Sequence, residues 1–101
     1  MPQVRWSASA RAGLLEISRY LADRNPYAGE RIVARLLVRA VDLATNPSQG
    51  RPGRVAGTRE LVVTGTPYLL VYRVTATYVE ILRVLHGRRQ WPPAGPSGEG
   101  P

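Results

Sequence analysis

The chain has 101 residues, enough for one small domain with a modest core, and 44% of them are hydrophobic, which fits a globular protein and not a disordered one. It has no cysteine and a single histidine, His86, which excludes disulfides and thiolate metal sites and argues against a zinc centre. All 14 basic residues are arginine, the net charge is +7, and the body up to Trp91 sets 14 arginines against six acids; this excess implies an anionic partner, either nucleic acid, acidic protein or both.

In chain order, Gln3 to Trp6 can form a short strand with Val4 and Trp6 on one face. Ser7 or Ser9 can cap the helix that follows, whose apolar residues Ala10, Leu14, Ile17 and Leu21 recur at helical spacing. Asn25-Pro26 stops this helix and starts a second, because proline disfavours helix in the residue before it and suits the first turn of the next. Ile32, Leu36, Ala40 and Leu43 make the second apolar seam, and the helix ends near Asn46-Pro47. Two helices this closely spaced predict an antiparallel hairpin.

Residues 48–57 hold three glycines and a proline and read as loop. Strands are expected over 59–64, 68–75 and 78–85, joined by the turn Gly65-Thr66-Pro67 and a tight hairpin at Ala76-Thr77. Together these predict an α+β domain over 1–91, with a helical hairpin packed on a small antiparallel sheet. Residues 92–101 are rich in proline, glycine and serine, lack an apolar anchor and read as a disordered tail. No apolar run approaches the ~18–20 residues of a membrane span and no segment looks like a signal peptide, so the expected compartment is the cytoplasm, with no membrane partner.

Three features could carry function. The loop "GRPGRVAGTRE" lacks the ending of a P-loop, but Arg51, Arg54 and Arg59 make it basic and able to clamp phosphates. Arg31, Arg35 and Arg39 recur every four residues on one helix face, either as a solvated face paired with acids such as Glu30 and Asp42 or as a docking stripe for an acidic segment. The segment "ILRVLHGRRQWP" ends in His86, Arg88, Arg89 and Trp91. There His86 could serve as general acid/base and arginines could stabilise phosphorane-like charge, although a strand-end histidine and a sheet-edge tryptophan are also ordinary structural residues. The carboxylates form no acid/base motif.

Taken together, "RELVV" (59–63), "PYLLVYRV" (67–74) and "VEILRVLHGRRQWP" (79–92), with "VRWSASARAGLLEISRYLADRNPYAGERI" and "NPSQGRPGRVAGTREL" before them, resemble the ParE/RelE superfamily of toxins from type II toxin–antitoxin systems. The resemblance spans residues 3 to 92 and implies a helical hairpin on a small sheet. It also implies a cognate acidic antitoxin that wraps the toxin, no cofactor, and one of two activities. RelE-type members cut mRNA on the ribosome, using basic residues on the sheet; ParE-type members, the plasmid-stabilisation type, poison DNA gyrase. RelE-like proteins often carry "YRLVY" in the central strand, where the arginine contributes to catalysis, whereas "YLLVY" here places Leu69 at that position. RelE-like sheets are lysine-rich, and this chain has no lysine.

The chain therefore looks closer to ParE. Under that reading Arg59, Arg73, Arg83, His86, Arg88, Arg89 and Trp91 grip the target, no bond is broken, and Arg31, Arg35 and Arg39 dock the antitoxin in a toxin–antitoxin hetero-oligomer. Under the RelE alternative His86 is the acid/base and Arg73 or Arg83 the charge stabiliser. A non-toxic, basic nucleic-acid-binding module would explain the charge but not the resemblance.

Overall fold

The computed structural model describes residues 3–87. Arg88, Arg89, Trp91 and the expected tail lie outside the described residues. The elements are β1 (Gln3–Trp6), α1 (Ala8–Arg24), α2 (Pro26–Thr45), a short 3-10 turn (Pro47–Gln49), β2 (Arg51–Pro52), β3 (Arg59–Val62), β4 (Tyr68–Val74) and β5 (Tyr78–His86).

Both helices begin where the sequence supplies a cap. Ser7 Oγ accepts the N–H of Ala10 at 3.0 Å and donates to the Leu82 carbonyl at 2.9 Å, so one hydroxyl both caps α1 and ties it to β5. Asn25 closes α1 through its own N–H on the Leu21 carbonyl, and its side chain accepts the N–H of Ala28 to open α2. A one-residue joint folds the helices back on each other. Gly29 makes that return possible: a Cβ there would sit 3.0 Å from the Leu21 Cβ.

The α+β class holds, but the sheet is not wholly antiparallel. Its strand order is β1-β5-β4-β3-β2, with β1 parallel to β5 and every other pair antiparallel. The β3–β4–β5 meander ends beside β1 with both strands running the same way, because the helical hairpin has already carried the chain across one face. β2, a two-residue edge strand, lies in the segment expected to be loop. β3 ends at Val62 and β4 at Val74, while β5 runs on to include His86.

Burial follows the alternation of the strands. Leu61, Val63, Leu70, Tyr72, Val79 and Ile81 face the helices and close the main core with Leu36, Ala40 and Leu43. Each large aliphatic side chain buried there stabilises the fold by about 1.5–3 kcal/mol. On the opposite, outer face Leu69, Val71 and Leu85 form a second apolar cluster, with Leu82 packed against it.

A register shift between Val71 and Tyr72 sets which residues of β5 face which way. Val71 pairs with Arg83 and Tyr72 with Ile81, so Leu82 is an extra residue on β5. The bulge puts Val84 into the helix-facing core and Arg83 opposite Val71. Unbroken alternation from Val79 and Ile81 would have aimed Arg83 at the core.

Candidate functional site

Among the described residues, Arg73 and His86 do not converge on one point, whereas Arg83 and His86 line one groove. Arg73 lies near the β4–β5 turn and pairs with Glu80, Nε to Oε1 at 2.8 Å. His86 lies at the other end of that hairpin, opposite Tyr68, five ladder positions from the Arg73–Glu80 pair and so about 17 Å away along the strand. Its ring meets Tyr68 edge-on, with centroids 5.6 Å apart. The pair sits in a groove of about 760 Å³ between α1 and the β4–β5 end, lined also by Gly13, Ile17 and Tyr20. Burial raises the Tyr68 phenol above its ordinary value, and nearby Tyr20 adds to the shift. Arg83 is partly buried and stands across from Val71, three residues along the strand from His86. Arg73 and His86 therefore cannot serve one phosphate together.

Arg59 is committed to the fold. Its guanidinium donates to the Gly50 carbonyl at 2.6 Å and holds the start of the basic loop. Tyr72 fastens the same point from the core: its hydroxyl accepts the Gly50 N–H at 2.8 Å and donates to the Pro47 carbonyl at 2.6 Å. Burial raises the Tyr72 phenol, with the Gly50 N–H and the Arg59 charge opposing the shift in part.

Glu60 was not singled out by the sequence. It is only 2% exposed, the one buried charged residue among those described. Its carboxylate takes Arg51 Nη2 at 3.1 Å and Arg54 Nη2 at 3.2 Å on one oxygen, and Arg54 Nε and the Arg54 backbone N–H on the other. Burial alone would raise its pKa; the hydrogen bonds and charge from Arg54, with that from Arg51, outweigh it and hold the carboxyl below its ordinary value. In sequence, only Arg51 and Arg54 upstream of a strand acid hinted at this.

The helical arginine stripe divides in three. Arg39 is bound to Asp42 at 2.8 Å and to Gln49 at 2.9 Å. Arg35 donates to the Thr64 carbonyl in the β3–β4 turn. Arg31 is exposed. Beside them α2 displays Leu37, Val38 and Val41 at 42%, 59% and 64% exposure, a second apolar patch besides the core seam. Helical spacing in the sequence shows the core seam but not this patch.

Among the described residues no three His, Cys, Asp or Glu side chains gather as a metal site, and no helix is long and apolar enough to cross a membrane.

With this geometry in place, comparison with known proteins is direct. Residues 4–91 match the family model described as the ParE toxin of the type II toxin–antitoxin system parDE. The chain belongs to the ParE toxin family. It is a type II toxin of the ParE/RelE superfamily.

The protein Y4kP of Sinorhizobium fredii, named as a toxin, is 43% identical over 90 residues, covering 89% of this chain and 93% of that protein. The chromosomal ParDE toxin–antitoxin system from P. aeruginosa superposes with a TM-score of 0.77 at 26% identity, over 85% of this chain and 96% of that one. A chain of the RelBE2 toxin–antitoxin complex from Mycobacterium tuberculosis superposes with a TM-score of 0.62 at 33% identity, over 85% and 99%. For this ParE-family toxin, then, both branches of the superfamily share the helical hairpin on a mixed sheet.

Proposed function

We propose that this toxin arrests growth by gripping DNA gyrase without cutting RNA. The observation that carries this reading is Leu69. At the position where the RelE resemblance places a catalytic arginine, the side chain is 3% exposed and packed with Val71 and Leu85. An apolar, buried residue supplies no positive charge to a phosphate, and nothing charged can replace it without breaking that cluster. The separation of Arg73 from His86 removes Arg73 as charge stabiliser of a cutting reaction and leaves Arg83, which shares the His86 groove, as the residue the assay below must test.

The proposed silencing partner is an acidic antitoxin. Two structural relatives are toxin–antitoxin complexes. On this chain, exposed Leu37, Val38 and Val41 beside Arg31 and Arg35 fit an amphipathic acidic segment, whose apolar side would cover the valines while its carboxylates meet the arginines.

The test is a paired assay on the purified toxin. One arm follows supercoiling and cleavage-complex formation by gyrase on relaxed plasmid; the other follows mRNA cutting on programmed ribosomes. Gyrase inhibition with intact mRNA is expected. Cut mRNA with normal supercoiling would overturn the reading and make His86 with Arg83 the place to look for chemistry.

A further inference from the structure

The outer face of the sheet carries a built arrangement centred on Arg51, Arg54 and Glu60, residues that neither the gyrase reading nor the antitoxin stripe uses. The strand register places Arg51, Glu60, Val71 and Arg83 in one row across β2, β3, β4 and β5. At about 4.8 Å per strand, the two end arginines stand about 14 Å apart at the backbone. A second row, one side-chain step further along, holds Arg73, Glu80 and Arg5. With Arg54, the face sets five arginines against two carboxylates among the described residues.

The Arg51–Glu60–Arg54 cluster differs from an ordinary surface ion pair. One buried carboxylate holds two guanidiniums, so the cluster keeps a net positive charge while its only acid is hidden beneath. Both guanidiniums stay open to solvent, at 58% and 44% exposure of the side chain. Arg54 spends Nε and Nη2 on Glu60, and Arg51 spends Nη2. Arg54 Nη1 and Arg51 Nε and Nη1 keep their N–H donors for another acceptor. The loop beneath is fixed at its start by Arg59 and Tyr72 on Gly50, and at its neck by the Gly53 N–H on the Thr58 carbonyl at 2.7 Å. Donors held this way lose little freedom on binding.

We infer that Arg51 and Arg54, oriented by Glu60, form a phosphate clasp that takes the phosphodiester backbone of a nucleic acid running across the outer face toward Arg83. Guanidinium forks match phosphate oxygens in pairs, which a lysine ammonium does not. The row geometry favours an extended, evenly charged strand over a compact anion. The clasp does not rest on the gyrase reading, because its test uses naked nucleic acid.

The experiment measures binding of the full-length toxin to a labelled DNA duplex by fluorescence anisotropy across a chloride series. The double variant R51Q/R54Q should flatten the slope of log affinity against log salt by about 1.8, the loss of two phosphate contacts, whereas R11Q/R19Q on exposed α1 should leave it within error. R54K keeps the charge but loses the fork, and should weaken binding about tenfold. Glu60→Gln is the sharpest arm. Removing a negative charge would by itself tighten DNA binding; loss of the orienting carboxylate loosens it. Weaker binding by E60Q in a variant that melts cooperatively is the expected result. Tighter binding by E60Q, full affinity in R54K, or an equal loss of slope in R11Q/R19Q would overturn the clasp. Unchanged DNA binding combined with lost binding to polyglutamate would assign the loop to an acidic protein, and would overturn it as well.

Discussion

Tyr72, in the middle of β4, reaches through the core to hold Gly50, 22 residues earlier, with its hydroxyl 2.8 Å from the Gly50 nitrogen. The same hydroxyl donates to Pro47, so one phenol closes two backbone groups that β2 leaves behind. Tyr72→Phe keeps the ring and removes both bonds. Its expected cost is about 1–3 kcal/mol in denaturant unfolding, with faster amide exchange across 47–58. Gly50→Ala should cost at least as much, because its Cβ would stand 2.6 Å from that hydroxyl.

Glu60 makes stability depend on acid. Its carboxyl titrates below the ordinary value of 4.5 in the folded protein, so folding favours the ionised form. That contribution is fully present above the unfolded value and is lost as pH falls from about 4.5 through the folded value. A melting series over this range should show the wild-type midpoint dropping more steeply than that of Glu60→Gln. Parallel curves would remove Glu60 from the acid limb.

The stripe on α2 predicts unequal effects from three similar substitutions. Arg31→Glu should weaken antitoxin binding with little change in melting temperature, since its side chain is exposed. Arg39→Glu should lower the melting temperature as well, because it breaks the bonds to Asp42 and Gln49. Val38→Asp and Val41→Asp should reduce antitoxin affinity by at least about tenfold if the valines are covered in the complex, as calorimetry would show.

His86→Ala separates gripping from cutting. The variant should still arrest growth when expressed without antitoxin, because no acid/base step is expected of it. It loses, among its contacts, the edge-on ring contact with Tyr68, which contributes about 0.5–1.5 kcal/mol of stability. Abolished toxicity with gyrase binding intact, in a protein that melts normally, would point to chemistry at this ring.

Leu69→Arg tests whether the apolar cluster leaves room for the RelE-type side chain. Leu69 faces Leu85 across the ladder and is 3% exposed, so the charge has no water and no partner there. The expected result is unfolding or a loss of several kcal/mol, with no gain of RNA cleavage.

Much of the fold was legible because it rests on local chemistry. The two helices followed from the seams Ala10–Leu21 and Ile32–Leu43, and their joint from Asn25-Pro26, each set by residues within a few positions of one another. The parallel pairing of β1 with β5 was not legible, since no short-range pattern records which distant strand a four-residue segment joins. The bulge at Leu82, which turns Arg83 away from the core, was not legible either, because it depends on the register against β4. At the candidate site, exposed positions such as Arg31 read correctly from helical spacing. The burial of Glu60 did not, because it depends on two arginines folding back from a loop that sequence shows only as glycine-rich and basic.

The pairing of β1 with β5 also fixes when the toxin comes into being. Ser7 is bonded to Leu82, 75 residues later, and Gln3 to Trp6 find their partners only at 78–81. Synthesis delivers β1 long before β5, so a chain that ends before β5 cannot pair β1. The helical hairpin, built from neighbours, can form while translation continues. A chain still on the ribosome thus offers its hairpin before β5 is there to pair with β1.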